Sequence, residues 1–129
     1  MIPIEERFIL HEKGLLLHEN PASIKIAIKI KTLDVTAVFG ATDYLSVGLM
    51  KGLANVGVRI PNEISIHGVT NVEYGLITTP TLSSIDFSPD LAAKNAMELI
   101  NVMKLKNRNV YRNVEISFKI VERNTVANI

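Results

Sequence analysis

Polar and turn-forming residues gather at three points where short apolar runs end. They read Gly40-Ala41-Thr42-Asp43, Gly68-Val69-Thr70-Asn71 and Asp86-Phe87-Ser88-Pro89. Hydroxyl, carboxylate and amide groups can all hydrogen-bond a polar ligand. In an open parallel sheet, ligands bind at the carboxyl ends of the strands. If the three apolar runs are parallel strands, these segments share one edge and form a candidate binding site.

Patterns typical of catalysis or metal binding are not found. His11, His18 and His67 are scattered, and none has the spacing to Asp or Glu that makes a metal site. The serines lack a nucleophile elbow, so a hydrolase triad is unsupported. Gly48 and Gly52 fall in a predicted helix, where close packing explains them better than a phosphate loop. The sequence predicts no catalytic residue, metal or cofactor, and we expect a protein that is not an enzyme.

Composition predicts one soluble globular domain of 129 residues. The net charge of +1, from 14 Lys+Arg and 13 Asp+Glu, argues against a nucleic-acid surface. Lys25, Lys29 and Lys31 are interpreted as a solvated helix face. The chain has no cysteine, and no run reaches transmembrane length. We therefore expect a cytoplasmic protein with no membrane partner and, from the charged start of the chain, no signal peptide.

Strand and helix patterns alternate along most of the chain. Strands are predicted at Val35–Phe39, Glu63–His67, Thr81–Ile85 and Val114–Val121. The first is a continuous apolar run, typical of a strand buried on both faces. Alternation of this kind predicts an α/β domain with a largely parallel sheet flanked by helices.

Four helices are predicted between and before these strands. The segment Ala22–Leu33 fits a helix and a strand almost equally, and we favour the helix. Thr42 or Asp43 is expected to cap the helix that ends at Gly57. The predicted helices are Glu5–His18, Ala22–Leu33, Leu45–Val56 and Pro89 to about Lys104.

Five segments, in order, resemble the lactose-repressor/galactose-repressor (LacI/GalR) family of bacterial transcriptional regulators. The most specific is residues 57–68, GVRIPNEISIHG, which is similar to the family wording GLRVPEDISVVG. The others are TAVFGATD at 36–43, SVGLMKGL at 46–53, TPTLSSI at 79–85 and the closing strand at 115–125.

The resemblance implies the C-terminal lobe of a two-lobed effector-binding domain. Residues 1–129 would form a three-layer, periplasmic-binding-protein-like I lobe. Family members also carry a DNA-binding helix-turn-helix, which this chain lacks together with nearly all of the N-terminal lobe. Helix 89–105 is expected to belong to that missing lobe in the intact fold. We therefore predict that it docks on a neighbour or packs in a position that the family does not use.

The resemblance also implies ligand-binding positions at Thr42, Asp43, Thr70 and Asn71. Thr42 stands where many members have Asn, and Thr70 where sugar- and purine-binding members often have Asp. A threonine cannot supply the charge-assisted bidentate contact of a carboxylate. For Asp43, helix capping is the alternative to ligand contact, and for Asn71 the alternative is a loop-stabilising role.

A dimer surface is implied on the helix after the first strand and on the loop 72–79. Val47 and Met50 fit an ordinary core as well as they fit an interface. The implied interface residues are Tyr44, Val47, Met50, Tyr74, Leu76 and Ile77.

These observations predict the effector-binding and dimerisation part of a LacI-type transcriptional regulator. Its expected partners are a small-molecule effector, of which sugars are one class, and a second copy of the chain. DNA would be bound only through the missing helix-turn-helix. The alternatives are a sugar-binding protein of the periplasmic-binding type outside transcription, and an enzyme on a Rossmann-like domain, for which no Gly-rich fingerprint is present.

Overall fold

The computed structural model describes residues 20–106 and 113–127. Helices and strands alternate through this part of the chain, as the sequence predicts. The segment that fitted helix and strand almost equally is a helix, α1. The elements are α1 (Asn20–Lys31), β1 (Ala37–Phe39), α2 (Asp43–Asn55), β2 (Ser65–Val69), a 3₁₀ turn (Glu73–Gly75), β3 (Ser83–Asp86), α3 (Pro89–Lys106) and β4 (Lys119–Val121).

One sheet holds the four strands in the order β1-β2-β3-β4. The first three strands are parallel, with Phe39 opposite His67 and His67 opposite Ser83. The fourth strand is antiparallel to β3, with Ile85 opposite Ile120. The mixed, mostly parallel sheet with helices is the α/β architecture that the sequence predicts. The parallel register brings the carboxyl ends of β1, β2 and β3 to one edge.

The core lies between this sheet and the pair α1 and α2. Apolar side chains recur every three to four residues on both helices, so each presents one apolar face. Gly52 lets the two helices approach closely, since a Cβ there would collide with the Ser23 carbonyl of α1. The core cluster is Ile26, Ala27, Ile30, Leu49, Met50, Leu53, Val58, Ile64, Ile66 and Leu82.

The prediction that the first strand is buried on both faces is wrong. Ala37 is exposed and Phe39 is 62% exposed. Among the described residues, β1 pairs with β2 alone and is an edge strand of the sheet. Val38 is half-buried and packs against the core on one face, whereas Phe39 lies on the other face, stacked on His67 with ring centroids 5.9 Å apart.

Helix α3 stands apart from the core. It begins at Pro89, as predicted, but contributes no residue to the core cluster. Leu91, Met97 and Ile100 are 44%, 57% and 43% exposed. The core of this domain is therefore not the place where the apolar face of α3 is buried. That the helix docks on a separate lobe or neighbour stays a prediction.

The end of the chain departs from the predicted strand Val114–Val121. Of the described part of that segment, only Lys119–Val121 is a strand, and residues 113–118 pair with no strand. The segment after β4 hydrogen-bonds to the amino ends of β2 and β3. The Thr125 hydroxyl accepts from Ser83 N at 2.8 Å, and the Thr125 carbonyl oxygen accepts from Ile66 N at 2.8 Å. The predicted helix Glu5–His18 lies outside the described residues. Within the described part of the chain, no helix is long and apolar enough to cross a membrane.

Candidate functional site

The three polar segments meet at one edge of the sheet, as the sequence predicts. Gly40 N donates to His67 O at 2.8 Å, which joins the ends of β1 and β2. Thr70 N donates to Ile85 O at 2.9 Å, which joins the ends of β2 and β3. We call residues 40–43, 68–71 and 86–89 the strand-end edge. This edge brings together hydroxyl, carboxylate and amide groups from three separate segments of the chain.

Asp43 lies beneath the surface of this edge and is fully buried. Its Oδ1 accepts from the Ser84 hydroxyl at 2.6 Å, and its Oδ2 accepts from Val72 N at 2.8 Å. The helix cap is Thr42, whose hydroxyl oxygen accepts from Leu45 N at 3.3 Å. Asp43 is thus neither the cap nor an exposed ligand contact. It ties the start of α2 to β3 and to the segment after β2.

Glycine at position 68 makes room for this carboxylate. A Cβ at Gly68 would collide with the Asp43 side chain and crowd Leu82. Ser84 is also completely buried, and its hydroxyl has a second role, since it accepts from Asn71 N at 3.0 Å. A buried carboxylate is stabilised by donors of this kind, which replace the water that it loses.

Asn71 is also held by the protein. Its side-chain oxygen accepts from Arg123 Nη2 at 2.6 Å, and its Nδ2 donates to Asp86 Oδ2 at 3.3 Å. The backbone is in the left-handed region, at φ 49°. Asn adopts this conformation more readily than most residues. These contacts match the loop-stabilising alternative that the sequence left open.

Thr70 has a different environment. Its side chain is exposed, and no hydrogen bond of its hydroxyl is found among the described residues. Its φ is 107°, a region that a β-branched residue rarely occupies. Such strain persists only where surrounding contacts impose it, and it concentrates at functional sites. Of the four predicted ligand positions, Thr70 and the half-buried Thr42 are therefore the two that present hydroxyl groups to a ligand, and the half-buried Ser88 adds a third hydroxyl to this edge.

Sequence reasoning gave no role to Arg123 and Ser84. The Arg123 guanidinium donates to Leu82 O and to Asn71 Oδ1, both at 2.6 Å, and its backbone N donates to Ser83 Oγ at 2.9 Å. The segment containing Arg123 carries part of the family resemblance, which is a signal for Arg123. The signal for Ser84 is a hydroxyl within the predicted strand Thr81–Ile85, since a strand side chain that becomes buried needs a hydrogen-bond partner.

Within residues 57–68, GVRIPNEISIHG, the exposed side chains of Arg59 and Glu63 form an ion pair. Arg59 donates to Glu63 Oε2 from its backbone N at 2.8 Å and from its Nε at 2.9 Å. These two bonds hold the pKa of the exposed Glu63 carboxyl below its ordinary value. Gly57, at φ 78°, ends the preceding helix in the left-handed conformation that glycine tolerates best. No group of three acidic or histidine side chains within the described ranges could hold a metal ion.

Most of the predicted dimer residues form an exposed apolar surface beside the strand-end edge. Tyr44 and Tyr74 are half-exposed and contact each other, with ring centroids 5.4 Å apart. Leu76 and Ile77 continue this surface and are 53% and 77% exposed. We call Tyr44, Tyr74, Leu76 and Ile77 the apolar patch.

Two of the predicted dimer residues, Val47 and Met50, pack in or against the core. Met50 is 5% exposed and is a member of the core cluster. This burial matches the core alternative that the sequence left open for Met50. Val47 is half-buried and packs against the same cluster. Both residues also line a groove of about 380 Å³ next to the apolar patch.

The sequence matches the family model of the periplasmic binding protein-like domain over residues 8–126. The chain belongs to this family. It is 30% identical to the HTH-type transcriptional repressor PurR of Vibrio parahaemolyticus over 99% of its own length, which is 38% of the length of that repressor. The resemblance to LacI-type regulators is thereby confirmed, and the curated relatives described are repressors rather than enzymes or free sugar-binding proteins.

Solved structures agree on the fold. A LacI family transcriptional regulator from Enterococcus faecium, with bound ribose, superposes with a TM-score of 0.76 at 20% identity, over 87% of this chain and 42% of that chain. The Escherichia coli transcriptional repressor ascG superposes with a TM-score of 0.72 at 21% identity, over 98% and 45%. In both cases the chain spans less than half of the matched protein.

Proposed function

We propose that this chain is the effector-binding and pairing part of a LacI-type transcriptional regulator. The observation that carries the proposal is the strand-end edge of a chain belonging to the periplasmic binding protein-like family. This edge lies where ligands bind in open α/β sheets. Thr70, exposed and held at a positive φ, is its most distinctive residue.

The proposed direct ligand contacts are Thr42 and Thr70. Asn71 and Asp43 would act indirectly, by holding the backbone around the two threonines in position. The side-chain oxygens and the amide nitrogen of Asn71 and Asp43 already have protein partners. The side chains of the strand-end edge would then contact the effector through neutral hydroxyl groups. A small polar molecule such as a sugar fits this chemistry, because its hydroxyls can donate and accept equally well.

In the intact regulator, effector binding would favour one arrangement of the two lobes and so shift the equilibrium between DNA-binding states. DNA would be contacted by a helix-turn-helix, as the relative's name indicates for that protein, and not by this lobe. Such a regulator would work in the cytoplasm as a homodimer. The apolar patch supports pairing, since exposed contiguous apolar surface often marks a protein–protein interface.

Calorimetric titration of the purified chain with ribose, lactose and adenine tests the ligand part. For the probe that binds, replacing Thr70 with Ala should weaken binding about two- to twelve-fold, the cost of one hydrogen bond. Thr36→Ala is the matched control, since Thr36 is also exposed but lies at the amino end of β1. Equal affinities of wild type, Thr70→Ala and Thr36→Ala for the bound probe would contradict the assignment of Thr70.

A further inference from the structure

Two exposed phenylalanine side chains lie where the strand-end edge meets β3 and β4. Phe87 directly follows β3 and is 48% exposed, and Phe118 directly precedes β4 and is 59% exposed. Phenylalanine is among the residues most often buried in proteins. Neither ring stacks on another aromatic ring within residues 20–106 and 113–127. Both aromatic faces are therefore accessible beside the place where the effector is proposed to bind.

The register of β3 and β4 brings these two residues together. The antiparallel ladder ends with Asp86 opposite Lys119. One residue further in the same register, Phe87 follows Asp86 and Phe118 precedes Lys119, so the two phenylalanines occupy the next opposite positions. Opposite residues of an antiparallel pair have Cα atoms about 5 Å apart and side chains on one face. We call Phe87 and Phe118 the aromatic pair.

The backbone on either side of Phe87 is held by hydrogen bonds. Asp86 Oδ1 accepts from Ser88 N at 2.7 Å, which closes a turn around Phe87. Asp86 Oδ2 accepts from Asn71 Nδ2 at 3.3 Å, which ties this turn to the segment after β2. A contact group whose backbone is fixed in advance loses less conformational entropy when a ligand binds. The position of Phe87 is therefore suited to a binding role.

Thr70 follows β2, the strand next to β3. Val69 is opposite Ile85 in the parallel register, and Thr70 N donates to Ile85 O at 2.9 Å. Neighbouring strands are about 4.8 Å apart, so Thr70 lies close to the turn that carries Phe87. Ligand sites combine apolar and aromatic walls with a few polar groups that orient the ligand. The aromatic pair supplies the apolar wall that the hydroxyl groups of the strand-end edge lack.

We propose that Phe87 and Phe118 form an apolar platform on which a ring of the effector lies flat, while Thr70 contacts a polar group at the edge of that ring. The inference rests on the effector site proposed above and specifies the class of effector, a small molecule with a flat ring face. Two kinds of compound have this chemistry. A heterocycle such as adenine stacks through its π face, and a sugar such as lactose presents the C–H groups of its ring.

The chain has only four phenylalanines, which permits a direct test. Their rings are labelled with ¹³C, and the NMR signals are assigned by single substitutions to leucine. Adenine, lactose or ribose, added in turn, should shift the ring signals of Phe87 and Phe118 and give NOEs between these rings and the bound compound. Phe39 is the matched control, because it is 62% exposed but lies on β1, three strand spacings or about 14 Å from β4. The compound that gives the NOEs distinguishes a heterocycle from a sugar.

Calorimetric titration of substituted chains gives an independent readout. Phe87→Ala and Phe118→Ala should each weaken adenine binding about 5- to 150-fold, the range for a base stacked on an aromatic side chain. If the bound compound is a sugar, each substitution should still weaken binding more than twofold. Phe87→Tyr keeps the ring and should stay within about twofold of the wild type. Phe39→Ala should bind as the wild type does.

The outcomes separate this inference from the proposed function. Binding that is weakened by Thr70→Ala but unchanged in Phe87→Ala and Phe118→Ala would overturn the inference and leave the effector site in place. Ring signals of Phe39 that shift as much as those of Phe87 would also overturn it, since the compounds would then contact any exposed ring. A chain that binds none of the three compounds would overturn both the inference and the proposed effector site.

Discussion

Replacement of Asp43 is the perturbation for which the structure gives the clearest magnitude. The carboxylate is fully buried and accepts two hydrogen bonds, from Ser84 Oγ at 2.6 Å and Val72 N at 2.8 Å. Hydrogen bonds to a charged group contribute about 1.5–3 kcal/mol each, and a donor left buried without a partner adds to the loss. Since single substitutions seldom exceed about 5 kcal/mol, we expect Asp43→Ala to lower the free energy of unfolding by about 3–5 kcal/mol.

The variant Asp43→Asn separates hydrogen bonding from shape. Its oxygen can accept from Val72 N while its amide donates to Ser84 Oγ, because a hydroxyl oxygen also accepts. We therefore expect a loss of only about 1–2 kcal/mol, the difference between charged and neutral hydrogen bonds. Asp90→Ala is the control: Asp90 is exposed in the first turn of α3, and its removal should cost under about 1 kcal/mol.

Urea unfolding followed by far-ultraviolet circular dichroism measures all three variants. The denaturant slope should stay constant, so that the midpoints report stability. An Asp43→Ala protein as stable as the Asp90→Ala protein would refute the reasoning, since it would mean that the two buried bonds do not hold the strand-end edge. If Asp43→Asn and Asp43→Ala lost the same free energy of unfolding, the role given to the hydrogen bonds would likewise be contradicted.

Three further outcomes follow from local geometry. Gly52→Ala should lower stability by about 1–3 kcal/mol in urea unfolding, because the new Cβ collides with the Ser23 carbonyl and forces α1 from α2. Leu53→Ala, at a completely buried site, should cost about 2–5 kcal/mol in the same assay. The Glu63 carboxyl should titrate by NMR below its ordinary pKa of 4.5, and Arg59→Ala should return the midpoint toward that value. Because the folded pKa is lowered, the stabilising contribution is present above pH 4.5 and is lost as the pH falls through the lowered pKa.

The order of elements could be predicted because each has a local signal. Hydrophobic periodicity located α2, the Ser-Pro-Asp start located α3, and short β-rich runs located the strands. The predicted carboxyl ends of the strands place Thr42, Thr70 and Asn71 at one edge of the sheet, and the structure has them there. Each of these signals depends only on residues that are close together in the sequence, so it can be recognised without the fold.

The errors concern contacts between distant segments. The run at Val35–Phe39 is apolar enough for a central strand, yet β1 pairs on one side only and Phe39 remains exposed. Met50 carries the same periodicity whether it faces the core or a partner. Helix geometry alone cannot decide between them, because α1 supplies the surface against which Met50 packs.

The role of Asp43 needed the full fold. Its partners, Val72 and Ser84, lie 29 and 41 residues further along the chain. Likewise Arg123 reaches Asn71 across 52 residues. A carboxylate after a strand is equally typical of a cap, a ligand contact and a buried anchor. Its burial, its two bonds to distant residues and the space that Gly68 leaves for it together distinguish the third of these.

The central claim is that the strand-end edge binds a small effector. The most direct test is a two-dimensional NMR titration of the ¹⁵N-labelled chain, whose mass is 14.3 kDa, with ribose, lactose and adenine in turn. We expect at least one probe to shift the amide signals of residues 40–43 and 68–72, while those of α1 and the groove stay in place. Shifts confined to the groove, or no shift with any probe at millimolar concentration, would contradict this expectation.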